Sequence, residues 1–338
     1  MKTDFVYEEA ISNLSHCIEY HRYVPLTLSY SLAVEYSSEV STDAPTRLFL
    51  KLPRLDAHPD PAFYKSSVER EIHLYQTLPS LHQSLPIIPC YDAAYDADRQ
   101  VYHLLLADLS ETHDQPSWHL TIADHYITRT VDSLAAFHAY WREHPYLGEK
   151  VSTLPTAASL QNEIARFCAV FPQFVESLAD QLSQDNRRIY ERLLAALPAL
   201  WENRIGLRGQ TLVHGDPHFW NFLYPLDPLK HQTYMLDWQT YRINPGTHDL
   251  AYTLVLRYPH RTLVNEQDLV KRYHDGLRAH GITDYSWEQC WYDYRRSVAE
   301  QLLVTLNWTG GASNGRYYVP RALTAFSELA CDEFLSPH

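Results

Sequence analysis

Glycine is scarce in this sequence, with 10 in 338 residues and none before Gly148. Backbone closes on phosphate groups most readily at glycine, so the first 147 residues hold no glycine-rich phosphate loop. Cysteine is equally thin: Cys17, Cys90, Cys168, Cys290 and Cys331 are scattered, odd in number and free of any C-x-x-C pair. That excludes a disulfide framework and a zinc ribbon, and predicts buried thiols in a reducing, cytoplasmic setting. Basic residues are outnumbered, 28 Lys and Arg against 41 Asp and Glu, for a formal net charge of -13. Such a field repels nucleic acid and anionic membrane surfaces and suits a small neutral or cationic partner. No stretch approaches the roughly 20 apolar residues of a membrane helix. The opening MKTDFVYEEAIS carries acids and no apolar segment, so no signal peptide is expected.

What is present is an ordinary globular composition, 45% hydrophobic and 13% aromatic, on a chain long enough that two lobes are the default. The stretch 25–53 has two β-branched and aromatic runs around a turn-like SSEVSTDAPT, which predicts a β-hairpin. Asp60 and Pro61 then open a helix predicted over 61–77, with Val68, Ile72, Tyr75 and Leu78 as its apolar stripe. A second strand pair is predicted in IIPCYDAAYDADRQVYHLLLADL. Beyond about residue 112 the period becomes helical. Ala123, Ile127, Thr130, Leu134, Phe137 and Trp141 form one face, and further helices are predicted near 158–184, 186–204, 248–257, 266–280 and 287–306. Among them lie two strand-like pieces, 210–214 and 233–238, with the loop LVHGDPHFWNFLY at the mouth of that pair. GGASNG, 310–315, reads as a surface loop.

Within that loop His214, Asp216 and Asn221 have the spacing H-x-D-x-x-x-x-N, the catalytic-loop spacing of the protein-kinase fold. Asp237 ends the next strand-like piece. HGDPHFWN, LDWQ and the following HDLAYTL together resemble the kinase-like small-molecule phosphotransferases, the family of aminoglycoside, choline and ecdysteroid kinases. The resemblance implies an α+β, bilobal protein-kinase-like fold: a β-rich nucleotide lobe over 1–106 with one key helix, a hinge over 107–114, and a mainly helical catalytic and acceptor lobe over 115–338. It implies ATP and magnesium as cofactors and a small hydroxylated molecule as acceptor.

Each position has a chemical reason. An alcohol attacking a γ-phosphoryl group needs a carboxylate at its hydroxyl, and Asp216 is the candidate. Magnesium prefers oxygen ligands, which Asn221 and Asp237 would supply. His214 is expected as scaffold. Asp249 is expected to cap its helix and, by the resemblance, to brace the catalytic loop. The resemblance implies that the small lobe offers a lysine and a glutamate: Lys51 in RLFLKLP, whose alternative is a solvated lysine on an edge strand, and Glu71, a carboxylate inside an apolar stripe that needs a partner. The hinge LLLADLSETHD would present Ala107 and Leu109 to adenine. His138, in the helix after the hinge, reads as a satisfied core histidine.

Two other readings use the same residues. G-D-P-H matches the start of a dinuclear metallophosphoesterase site, but that fold needs a G-N-H element and the chain has no G-N dipeptide. The missing glycines also suit a kinase-fold nucleotide binder without turnover. In any nucleotide-binding reading the missing glycines leave three alternatives: phosphate contacts from Ser12, Asn13 and Ser15, weak ATP binding, or use of another nucleotide. Trp238 and Gln239 after Asp237 argue against a protein substrate. The aromatics of the C-terminal helices, Trp287 and Tyr318 among them, are core or acceptor pocket.

Overall fold

The computed structural model describes residues 27–36, 44–54, 60–78, 85–96, 101–117, 122–307 and 312–335. Strands β1 (Thr27–Ala33), β2 (Arg47–Pro53), β3 (Cys90–Asp96) and β4 (Val101–Ala107) form an antiparallel sheet of order β1-β2-β4-β3. The hairpin and the second strand pair therefore share one sheet. Lys51 pairs with Ser29 on one side and Leu104 on the other. It stands on an interior strand, which rules out the alternative of a solvated lysine on an edge strand.

Helix α1 (Pro61–Thr77) covers this sheet, with the predicted bounds. Asp60 accepts from the Phe63 amide at 3.0 Å, satisfying one of the orphan donors of the first turn, and Pro61 stands where no donor is needed. The predicted stripe of Val68, Ile72, Tyr75 and Leu78 is buried.

The larger lobe is helical. In α2 (Asp124–Trp141) the predicted face from Ile127 to Trp141 is buried, whereas Ala123 is the exposed residue before the first turn. Helices α3 (Ala157–Leu178) and α4 (Gln184–Leu200) end earlier than predicted because each runs into a tighter 3-10 turn, 179–181 and 202–204. Helix α5 (Thr247–Ala251) widens into a π turn over Tyr252–Arg257. Helices α6 (Leu263–Ala279) and α7 (Trp287–Leu306) match the predicted segments closely. Helix α8 (Ala312–Glu328) replaces the loop expected at GGASNG from Ala312 onward. No helix of the described residues is long and apolar enough to cross a membrane.

Short strands carry the loops. β6 (Thr211–Val213) pairs with β9 (Arg242–Asn244), and β7 (Phe222–Pro225) lies between β5 (His113–Asp114) and β8 (Tyr234–Met235). The stretches 210–214 and 233–238 thus do not pair with each other, as the sequence suggested. Each is closed by a three- or four-residue strand too short to show periodicity.

Candidate active site

Lys51 and Glu71 meet because β2 and α1 face each other across the small-lobe core. The ammonium lies 2.9 and 2.8 Å from the two Glu71 oxygens, and Glu71 is 1% exposed. The same nitrogen donates to Asp237 Oδ1 at 2.9 Å, from the other lobe and 186 residues away. Burial works against the charge on Lys51, but attraction from Glu71 and Asp237 outweighs it and holds the ammonium well above the usual lysine range. Burial likewise disfavours ionised Asp237, yet Lys51 prevails and its carboxyl is lowered.

Asp237, just past β8, lies in the left-handed region, φ 66° and ψ 61°, where a non-glycine residue is strained. The turn is tied down at once: the Trp238 amide donates to Glu71 at 3.3 Å, and Leu236 donates to the Asn221 carbonyl at 3.0 Å. That bond sets Asn221 and Asp237 side by side at the ends of β7 and β8.

The HGD loop is held from below by Asp249, which accepts from the His214 amide at 2.6 Å and the Gly215 amide at 3.0 Å. Asp249 is fully buried and also contacts His138 Nε2 at 3.3 Å, whose Nδ1 meets the Tyr273 hydroxyl at 2.9 Å. Its carboxylate does not cap its own helix, which corrects that part of the expectation; it caps the loop. His138 is a satisfied histidine, as read, and part of the brace. His214 bonds Leu236 O through Nε2 at 2.8 Å, and its Nδ1 then accepts from the Asp216 amide at 3.3 Å, so the proton belongs on Nε2. Gly215 has φ 87°, and a Cβ there would stand 2.4 Å from the Thr240 carbonyl oxygen. Only glycine passes.

Asn221 donates its amide nitrogen to the Asp216 carbonyl at 2.9 Å. The Asp216 carboxylate points into a polar group of which two members, Tyr252 and Arg257, are absent from the sequence reading. Oδ1 accepts from the Tyr252 hydroxyl, Arg257 stands 3.7 Å from the same oxygen, and His218 lies 3.5 Å from Oδ2. Arg257 in turn donates to Tyr252 at 2.6 Å and to Tyr318 at 2.6 Å. Burial pushes the Tyr252 phenol well above its ordinary range, with the Asp216 charge adding to it, and burial lowers the His218 ring. Tyr252 and Arg257 escaped detection because the π turn shifts both off the 3.6-residue period. The one available signal was an arginine ending the apolar run YTLVL.

Between the lobes lies a cavity of about 360 Å³ lined by Lys51, Glu71, Ala107, Leu109, Leu236 and Asp237. Both hinge candidates border it. Between them Asp108 takes hydrogen bonds from the Ser31 hydroxyl and the Ser110 amide. Burial opposes its charge, but these bonds and Arg47 hold its carboxyl down to about 2. Ser12, Asn13 and Ser15 lie outside the described residues.

The donors suit magnesium, which takes oxygen ligands and completes its shell with water and phosphate. With its nitrogen engaged, Asn221 offers Oδ1, and Asp237 keeps Oδ2 beside the oxygen that Lys51 holds. Among the described residues no three His, Cys, Asp or Glu side chains gather as a dedicated metal cage, and magnesium with phosphates does not require one.

This two-lobed fold and its cleft are those of a kinase-like small-molecule phosphotransferase. A microcompartment-associated aminopropanol kinase is similar over 86% of this chain and 88% of its own, at 12% identity and a TM-score of 0.53. A mutant of aminoglycoside 2'-phosphotransferase-IIIa bound to GDP is similar over 85% and 86%, at 15% identity and a TM-score of 0.51. No curated protein matches the sequence. The profile of the ecdysteroid kinase-like family matches residues 26–282, and the chain belongs to that family.

Proposed function

We propose that this protein transfers the γ-phosphoryl group of ATP to a hydroxyl of a small molecule, with magnesium. The observation that carries the reading is Lys51 bridging Glu71 and Asp237 across the two lobes. An ammonium so placed neutralises the α- and β-phosphates, while Ala107 and Leu109 meet the base with backbone groups. Magnesium, held by Asn221 and Asp237, would spread the charge on the phosphates. Asp216 orients the acceptor hydroxyl and takes its proton as the new O–P bond forms and ADP departs. His214 and Asp249 keep the loop in shape, and Tyr252 with Arg257 fixes one oxygen of Asp216, leaving Oδ2 toward His218 and the acceptor. Amino sugars, choline-like alcohols, sterols and sugars are the acceptor classes to screen.

Thermal-shift titration with Mg-ATP and ATP consumption across hydroxylated compounds test this together. The expected result is nucleotide binding, turnover with one acceptor class, and a loss of about a hundredfold or more in kcat for Asp216→Asn with binding retained. Binding without turnover on any acceptor makes the protein a kinase-fold binder. Metal-dependent phosphomonoester hydrolysis without nucleotide makes it a phosphoesterase.

A further inference from the structure

A second cavity, of about 610 Å³, shares no lining residue with the cleft between the lobes. Its size falls within the roughly 300–1,000 Å³ of small-ligand sites. Arg70 of α1, Arg204, and Arg242 and Asn244 of β9 form its walls, together with the first turns of α3.

In a chain of net charge -13, three arginines line this one space against a single lining carboxylate residue, Glu163. Arg204 is ion-paired with Glu300. Arg70 and Arg242 instead meet neutral partners: Arg70 donates to the Gln239 carbonyl at 3.2 Å, and Arg242 to the Thr240 carbonyl at 3.3 Å, with His248 Nδ1 3.4 Å from its other terminal nitrogen. Among the described residues no carboxylate stands within ion-pair distance of either. Helix α3 begins at the cavity, with Thr156 as its cap, and adds the positive end of a 22-residue helix.

Asn244 supplies a second, independent sign. It is 2% exposed, and neither its Oδ1 nor its Nδ2 has a hydrogen-bond partner. Burying both ends of an amide unpaired is costly, and native side chains rarely do it. Oδ1 calls for a donor and Nδ2 for an acceptor.

We propose that this cavity binds a small hydroxylated organic anion carrying a phosphate group. Guanidinium forks and a helix N-terminus both match phosphate oxygens. A bare anion, with acceptors only, would leave Asn244 Oδ1 unpaired, whereas a ligand hydroxyl satisfies it. Arg70 precedes Glu71 on α1, and Arg242 grips the turn that follows Asp237. A ligand held by both arginines ties the helix of Glu71 to the segment of Asp237. The site is thus placed to act as an effector site on the ion pair of the cleft, and its occupancy is measurable whether or not the protein transfers phosphate.

Isothermal titration with glycerol 3-phosphate as probe tests this on the full chain, with circular dichroism confirming that each variant folds. Arg242→Gln and the exposed Arg70→Gln should weaken binding by about tenfold or more, the effect of losing one charge-assisted hydrogen bond. Glu163→Gln should tighten it, which a merely structural role would not produce, and Lys51→Met should change it by less than either arginine variant does, because the cavity is coupled to the ion pair of the cleft but not built from it. No binding to the native protein, equal affinity in Arg70→Gln and Glu163→Gln, or loss only in Lys51→Met would overturn the proposal. Inorganic phosphate binding as tightly as the probe overturns the hydroxyl requirement, and malate doing so overturns the preference for phosphate.

Discussion

Asp249 places one carboxylate against two loop amides and a histidine, all buried. Asp249→Ala leaves those donors unpaired at about 1–3 kcal/mol each. It should therefore lower the unfolding free energy by about 3 kcal/mol or more in denaturant titration and abolish turnover. Asp108 makes a separate prediction, in pH. Its folded carboxyl is held below the ordinary aspartate value, to about 2. The stability it adds is therefore present above the unfolded value and is lost as pH falls through about 4 toward 2. Asp108→Asn should lower the melting temperature at neutral pH and flatten its decline across that acid window. At this scale the sequence was informative where chemistry forces a residue type. Lys51, Glu71 and Asp237 meet as the resemblance implied, and a carboxylate inside an apolar stripe was the residue-level sign, because a buried glutamate must find a partner. Tyr252 and Arg257 were invisible, since a hydroxyl and a guanidinium carry no spacing rule and reach Asp216 through a helical irregularity.

Helix α1 was readable to its ends, because cap, proline and stripe all pointed to the same register. Asp60→Ala removes its cap bond, and about 1 kcal/mol of stability should go with it, with the cleft otherwise intact. A fall in melting temperature together with unchanged nucleotide affinity would confirm that the cap serves only the helix. The short strands β5 to β9 were poorly readable. Two to four residues give no alternation to count, and their pairing is decided by hydrogen bonds between distant segments, as between Thr211 and Asn244. Helix α8 was missed for a local reason: glycine, serine and asparagine signal a turn, and only packing against the rest of the large lobe overrides them.

At the scale of the molecule, Lys51 is a contact between lobes as much as a site residue. Ligands that bind only the folded state raise stability by mass action, about 2.7 kcal/mol at a hundred times Kd. Mg-ATP should therefore raise the melting temperature of the native protein, and in Lys51→Ala that increase should vanish or shrink sharply in differential scanning fluorimetry. Two lobes were foreseeable from length and from the change of period near residue 112. The cationic cavity was not, because Arg70, Arg204 and Arg242 come from three distant segments of an acidic chain.

A ribosome delivers the chain N-terminus first, and His214, Asp216, Asn221 and Asp237 all emerge before the side chain that shapes their loop. Asp249 arrives 35 residues after His214. A product ending shortly before Asp249 would carry every side chain proposed above for the reaction and still lack the carboxylate that holds their loop.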